Sequence, residues 1–216
     1  MSLSRVIQVL KGGQGSGNFG HSGRAGERGG SGEGGSAGAE TLKEKSLSWS
    51  KKITAEEKKY LDFYTQFGQY EVNGPLRDGE KLESDRQKKT AEVLDSLIER
   101  AGVQDPPWKV YRGIKVNSNR IEETLSKFEA GGVITLNGYQ STTTDQKLAK
   151  EYAGAYGQGL VFEITSKRGA PINGASTIPS ENEVLLGHGG SYKIAGIDRK
   201  HKLGKRVKAV IRLEAL

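Results

Sequence analysis

The side chains of this sequence best suited to chemistry are a pair of carboxylates. Glu181 and Glu183 flank Asn182 and run directly into Val184, Leu185 and Leu186, which read as a buried strand. Residues i and i+2 of a strand share a face, so both acids would aim the same way. Like charges held side by side repel, and the pattern therefore asks for a nearby cation or a chemical task. Arg112 offers a cation, and its planar fork also fits a phosphate. Taken alone, Arg112 also fits the lesser reading of a structural partner of a glutamate. Ser141-Thr142-Thr143 lies between them in the chain, and such a run is also what a β-rich edge looks like.

These residues need elements to hold them. Thr54-Ala-Glu-Glu57 has the pattern of a capping box, followed by a helix face of Tyr60, Leu61, Phe63, Tyr64 and Phe67 that ends near Gly68. Glu71 to Glu80 reads as turn-rich. A second helix spans roughly 80–101, with Val93, Leu94, Leu97 and Ile98 as its stripe and Gly102 as its C-cap. Pro106 and Pro107 break the chain, and Lys109 to Ile114 forms a strand with Arg112 on it. A short helix near 118–129 follows. Then VITL and GYQSTTT are extended segments joined by Asn137-Gly138, a strong turn dipeptide. Thr144-Asp145 caps a helix bearing Tyr152 and Tyr156, whose i, i+4 spacing is by itself that of packing residues. GLVFEIT, ENEVLLG, SYKIAGI and VKAVIRLEAL supply the later strands. Helices first and strands afterwards predict an α+β fold, not a doubly wound parallel sheet. No G-x-G-x-x-G loop opens a helix after a strand and no G-x-x-x-x-G-K-[ST] occurs, which excludes the common nucleotide folds.

Composition narrows the partners. The net charge of +7 suits an anionic one, either a phosphate-bearing ligand, nucleic acid or an acidic surface, and it also serves solubility. The basic residues are spread out, with a mild cluster in DRKHKLGKRVK, so nucleic acid stays open as a partner without a binding signature. The chain has no cysteine, which excludes disulfides, zinc–thiolate sites and thiol nucleophiles. His21, His188 and His201 make no ligand spacing, so no metal is assigned. No apolar run has the length of a membrane span, and MSLSRVIQVLK lacks the h-region of a signal peptide.

Arg112, the serine–threonine run and the paired glutamates occur in an order that resembles the mono-ADP-ribosyltransferase family, in its Arg–Ser–Glu branch with a double-glutamate motif. The resemblance rests on Tyr111-Arg112-Gly113, Ser141-Thr142-Thr143 followed by a helix with Tyr152, and Glu181-Asn182-Glu183, and it covers about residues 50 to 216. It implies N-terminal helices packed on two small, mostly antiparallel sheets that form an NAD cleft. It also implies NAD as substrate, with ADP-ribose passing to a host protein acceptor and nicotinamide released. Breaking the bond to nicotinamide develops positive charge on the ribose, which a positioned carboxylate favours. By resemblance that carboxylate is Glu183, Ser141 directs it, and Arg112 holds the pyrophosphate. Gly113 lets the nicotinamide amide approach, Thr142 lies at the NAD site while bracing the sheet with Thr143, and Tyr152 stacks on nicotinamide. Glu181 then positions an acceptor guanidinium and helps remove its proton, which implies arginine as the modified residue. Tyr64, Tyr70 and Asn73 resemble the helical wall over the cleft. The turn ASTIPS lacks the aromatic of many toxin relatives, with Ile178 standing as an apolar substitute.

Residues 12–39 hold 13 glycines and one aromatic, Phe19, too little apolar surface to offset backbone entropy. The expected organisation is therefore a short segment 1–11, a flexible linker 12–45 and a transferase domain 46–216. GSGNFGHSGRAGERGGSG resembles a glycine-rich motif of tailed-phage virion proteins. That resemblance implies a phage-encoded chain, capsid association through this region, delivery with the virion and action in the host cytoplasm as a monomer. Arg24 and Arg28 are candidate self-modification sites. A catalytically silent virion module and a nucleic-acid modifier are the rival readings.

Overall fold

The structure, a computed structural model, describes residues 42–155, 158–175, 181–199 and 206–216. The glycine-rich tract with Arg24 and Arg28, together with Tyr156, Ile178 and His201, lies outside the described residues.

The helical half comes first. Helix α1 (Leu42–Ser50) starts inside the segment expected to be linker, so the folded unit begins before residue 46. Its place is fixed by Ser46, whose buried hydroxyl donates to the Pro171 carbonyl at 3.0 Å and accepts from the Gly174 N–H at 2.7 Å. Helix α2 (Ala55–Phe63) opens with the expected Thr54–Glu57 capping box. It then widens into a π-helical turn, Tyr64–Gly68, before the short α3 (Gln69–Glu71). The stretch expected to be turn-rich contains a helix, α4 (Asn73–Asp78), closed by Gly79 in the left-handed conformation with φ 74°. Helix α5 (Asp85–Ala101) has its own capping box at Ser84 and Gln87 and buries Val93, Leu94, Leu97 and Ile98.

Strand β1 (Val103–Val116) runs through both prolines, but its ladder becomes regular only from Trp108, since proline has no N–H to donate. A 3-10 turn (Ser118–Arg120) and α6 (Ile121–Leu125) lead to β2 (Val133–Leu136) and β3 (Gln140–Thr143). Helix α7 (Gln146–Gly154) is capped by Asp145. Then come β4 (Gln158–Arg168), β5 (Ala170–Pro171), β6 (Glu183–Leu186), β7 (Gly190–Asp198) and β8 (Val207–Ala215).

The strands form one sheet in the order β2-β7-β8-β4-β1-β3-β6-β5, mixed only through the parallel β4–β8 pair. The two expected sheets are present as two parts of it. β1 and β3 share a single bridge, Tyr111 to Thr143, whereas β1 pairs with β4 without interruption from Trp108 to Val116. Asn137-Gly138 does not close a hairpin. β2 pairs with β7 and β3 with β6, so this dipeptide carries the chain from one part to the other. Gly138 is required by close approach instead: a Cβ there would stand 3.0 Å from Asn73 Oδ1 and 3.2 Å from the Arg77 side chain.

Two main cores back the sheet. Val110, Phe162, Ile164, Ile211 and Leu213 pack with Ile121, Leu125 and Phe128 beneath the larger part. Leu61, Tyr64, Leu94 and Leu97 pack with Tyr139, Ile172 and Leu185 beneath the smaller one. Burying such side chains contributes about 1.5–3 kcal/mol each.

Candidate active site

The site lies where the two parts of the sheet meet the helices. β3 and β6 are antiparallel, with Ser141 opposite Leu185 and Thr143 opposite Glu183. Ser141, Thr143, Glu183 and Leu185 therefore share one face, the one toward α2 and α5, where Leu185 packs. Thr142 takes the other face. It is fully buried, and its hydroxyl donates to the Val184 carbonyl. The structure thus gives Thr142 only the bracing part of its expected role, because no surface of it is open to a ligand. Thr143 braces too, donating to the Glu181 carbonyl at 2.7 Å.

The two glutamates do not share a face through strand alternation. Glu181 sits in a tight turn, Asn182 has φ 48°, and the strand begins at Glu183. A left-handed residue breaks the period of two, and asparagine is among the few non-glycine residues that tolerate it. The carboxylates still sense each other. Burial and the charge of Glu183 push Glu181 up to about 8. Burial pushes Glu183 up to about 7, against the opposing pull of a hydrogen bond from Ser141 and the Arg112 charge. The Ser141 side chain is thus hydrogen-bonded to the Glu183 carboxylate.

Arg112 is buried, and its Nη1 donates to the Ser141 carbonyl at 2.8 Å. Burial lowers its pKa, while Tyr64, Tyr152, Glu183 and Tyr192 act the other way. Burial likewise pushes the Tyr192 hydroxyl up to about 12. Gly113, the next residue, admits α7: a Cβ would meet the Ala149 carbonyl oxygen at 2.3 Å and the Ala153 nitrogen at 2.8 Å. The same absent Cβ would stand 3.1 Å from the Tyr152 ring, so Tyr152 lies flush with this backbone. Lys115 Nζ is 4.2 Å from the centre of that ring, a cation–π arrangement.

The helical wall supplies Tyr64 and Asn73 but not Tyr70, which is largely exposed. Tyr64 is buried, and its hydroxyl is hydrogen-bonded to the Ser141 side chain and accepts from Asn73 Nδ2 at 2.9 Å. The π-helical turn and Gly68 make this placement feasible, since a Cβ at Gly68 would be 2.4 Å from the Tyr64 ring.

One candidate residue was not foreseen. Arg77 stands one helical turn after Asn73 on α4, close enough to Arg112 for the two cations to repel. Burial and that repulsion lower its pKa to about 10. Its Nη2 is buried and has no hydrogen-bond partner among the described residues. A buried donor without an acceptor costs about 1–3 kcal/mol, which an anion bound between the two guanidiniums would recover. The Asn73–Arg77 spacing was the available signal, hidden because Gly74 and Pro75 made the segment look like a turn.

Residues 40–215 match the ADP-ribosyltransferase exoenzyme family model. The chain belongs to this family. ADP-ribosyltransferases take NAD as substrate, and two neighbouring guanidiniums close to two neighbouring carboxylates suit a dinucleotide whose diphosphate and ribose need opposite partners. A protein of Mycobacterium avium (strain 104), Mav, whose name proposes NAD(+)–arginine ADP-ribosyltransferase activity, is 28% identical over 135 residues. That alignment takes in 62% of this chain but only 15% of the length of Mav. The Plx2a toxin of Paenibacillus larvae has the same fold, with TM-score 0.64 and 19% identity over 81% of this chain and 92% of its own. The Vis toxin of Vibrio splendidus does too, with TM-score 0.60 and 21% identity over 81% of this chain and 79% of its own. Vis has also been solved with agmatine, at TM-score 0.56 and 20% identity over 81% of this chain and 84% of that one. The α+β architecture expected from the order of helices and strands is thus that of the ADP-ribosyltransferase toxins.

Proposed function

We propose that this chain cleaves NAD between nicotinamide and ribose and transfers ADP-ribose to an arginine guanidinium of a protein acceptor. The observation that supports this most is the hydrogen-bonded sequence Asn73–Tyr64–Ser141–Glu183, which holds one buried carboxylate within reach of the Arg112 charge, itself close to Arg77.

Arg112 and Arg77 bind the diphosphate by charge-assisted hydrogen bonds. Nicotinamide leaves with the electron pair of the C1′–N bond and becomes neutral, while C1′ acquires positive charge. Glu183 in its ionised form stabilises that charge and hydrogen-bonds a ribose hydroxyl. A guanidinium nitrogen of the acceptor then bonds to C1′ and loses a proton, for which Glu181 is the base. The raised pKa of Glu181 suits this step, because a docking cation favours its ionised form and the completed reaction returns a proton to it. Arginine as acceptor is supported by the name of Mav and by the guanidine agmatine held by Vis.

The test is an assay with etheno-NAD for hydrolysis and with labelled NAD for transfer to agmatine and to protein. Nicotinamide release with label on agmatine is the expected result. Absence of both NAD hydrolysis and transfer would refute the reading.

A further inference from the structure

Tyr139 is fully buried just before β3 and ties four elements together. Its N–H donates to Asn73 Oδ1 at 2.8 Å and its carbonyl accepts from Asn73 Nδ2 at 3.2 Å, so α4 is clamped to this strand at two points. At its other end the hydroxyl lies 2.7 Å from Asp95 Oδ1 and 3.0 Å from the Ala91 carbonyl, both on α5. His188, in the turn from β6 to β7, brings its ring centre to 4.8 Å from that of Tyr139 and its Nε2 to 3.5 Å from Asp95 Oδ2. Burial opposes ionisation of Asp95, but the hydrogen bonds from His188 and Tyr139 outweigh it and hold its carboxyl below the usual range. The bond to Asp95 in turn raises His188.

We propose that Tyr139, Asp95 and His188 are positioning residues that fix helix α4 against β3 and so set where Arg77 stands in the cleft. The inference rests on the reading of the cleft as an NAD site. Helix α4 has six residues, Asn73–Asp78, too few to be stable without tertiary support. Toward its far end Leu76 packs on the core, but Arg77 Nη2 has no hydrogen-bond partner among the described residues. Gly138 leaves the Arg77 side chain only contact distance, 3.2 Å from where a Cβ would be, so a small shift of α4 displaces the guanidinium. Glu183 and Ser141, by contrast, are held by the β3–β6 ladder. Loosening the Tyr139 anchor therefore moves the diphosphate grip more than the catalytic carboxylate, which the ladder still holds where Asn73 no longer steadies Tyr64.

The test compares wild type with Tyr139→Phe, Asp95→Asn and His188→Gln, each checked for folding by circular dichroism. Kd for NAD is measured by calorimetry, and kcat and KM by hydrolysis. Tyr139→Phe is expected to raise Kd and KM about 5- to 10-fold with kcat within about 2-fold, and His188→Gln to act in the same direction by about 2-fold. A merely destabilised enzyme loses active fraction, lowering apparent kcat with KM unchanged. The effect of Tyr139→Phe on Kd must also vanish in an Arg77→Ala background, because the two act through one group. Wild-type binding with unchanged Kd in all three variants, or full additivity with Arg77→Ala, overturns the inference. Failure of wild type to bind NAD at all overturns the reading of the site itself.

Discussion

The two parts of the sheet are built on different terms. The larger part, β2-β7-β8-β4-β1, is held by long ladders over an aliphatic core, and Phe162 and Ile211 are almost wholly enclosed. The smaller part, β3-β6-β5, has strands of two to four residues and is held largely by side chains bonding to backbone: Thr142 to Val184, Thr143 to Glu181, Ser46 to Pro171. It bears both glutamates and Ser141, while Arg112 stands on the last strand of the larger part. One β-bridge, Tyr111 to Thr143, joins them. Most of the ladder and most of the candidate chemistry are thus placed in different parts of the sheet, and Arg112 on β1 brings them together at the seam. Destabilising, partly buried charges can then gather at the seam while the long ladders hold the chain folded.

This contrast can be broken from either side. The largest effect belongs to the scaffold: Phe162→Ala should cost about 3–5 kcal/mol in urea unfolding, with KM for NAD unchanged in the fraction that stays folded. A large change in KM would show that the two parts are not separable. On the chemical side, Glu183→Gln should lower kcat for hydrolysis and transfer by about 10²–10³-fold, read by nicotinamide release, without loss of melting temperature. Glu181→Gln should cut transfer to agmatine about 10²-fold and spare hydrolysis to within a few-fold. Equal damage to both activities would mean that the division of labour between the glutamates is wrong. Arg77→Ala should raise KM about 10-fold with little change in kcat, since it removes a grip present before as well as during reaction.

The smallest effect concerns pH. In the proposed mechanism the ionised form of Glu183 is the working one, so hydrolysis should rise as pH passes through about 7 and fall below it. Stability runs the opposite way. The folded-state pKa of Glu183 is raised from 4.5 to about 7, so the folded state holds a proton that the unfolded chain would release across that interval. This contribution is complete below about pH 4.5 and is lost as pH rises through about 7. Glu183→Gln should therefore be more stable than wild type at pH 8, by on the order of 1 kcal/mol, and about equal at pH 4.5. A variant no more stable at pH 8 would show that Glu183 ionises without cost.

Much of the fold and the order of the candidate residues was legible because those signals are local. A capping box needs only Thr54 and Glu57, and an aromatic-Arg-Gly strand needs only its neighbours. The errors arose where a local rule met a distant constraint. Asn137-Gly138 has the chemistry of a hairpin turn, yet its flanking strands found partners elsewhere, and its glycine serves the approach of α4. Glu181 and Glu183 were placed on one face by a strand period that Asn182 interrupts. Arg77 stayed hidden because Gly74 and Pro75 weaken a helix pattern that packing against Tyr139 restores.

The amino-acid order alone determined the class of fold and which side chains are candidates for the chemistry, since residue types, caps and periodicities act over a few positions. Tertiary structure decided their electrostatics: which carboxylate is buried beside which guanidinium, that Thr142 is enclosed on the other face of β3, and that Arg77 comes close to Arg112. Burial and through-space charge are set by residues far apart in the chain, and no local pattern encodes those distances.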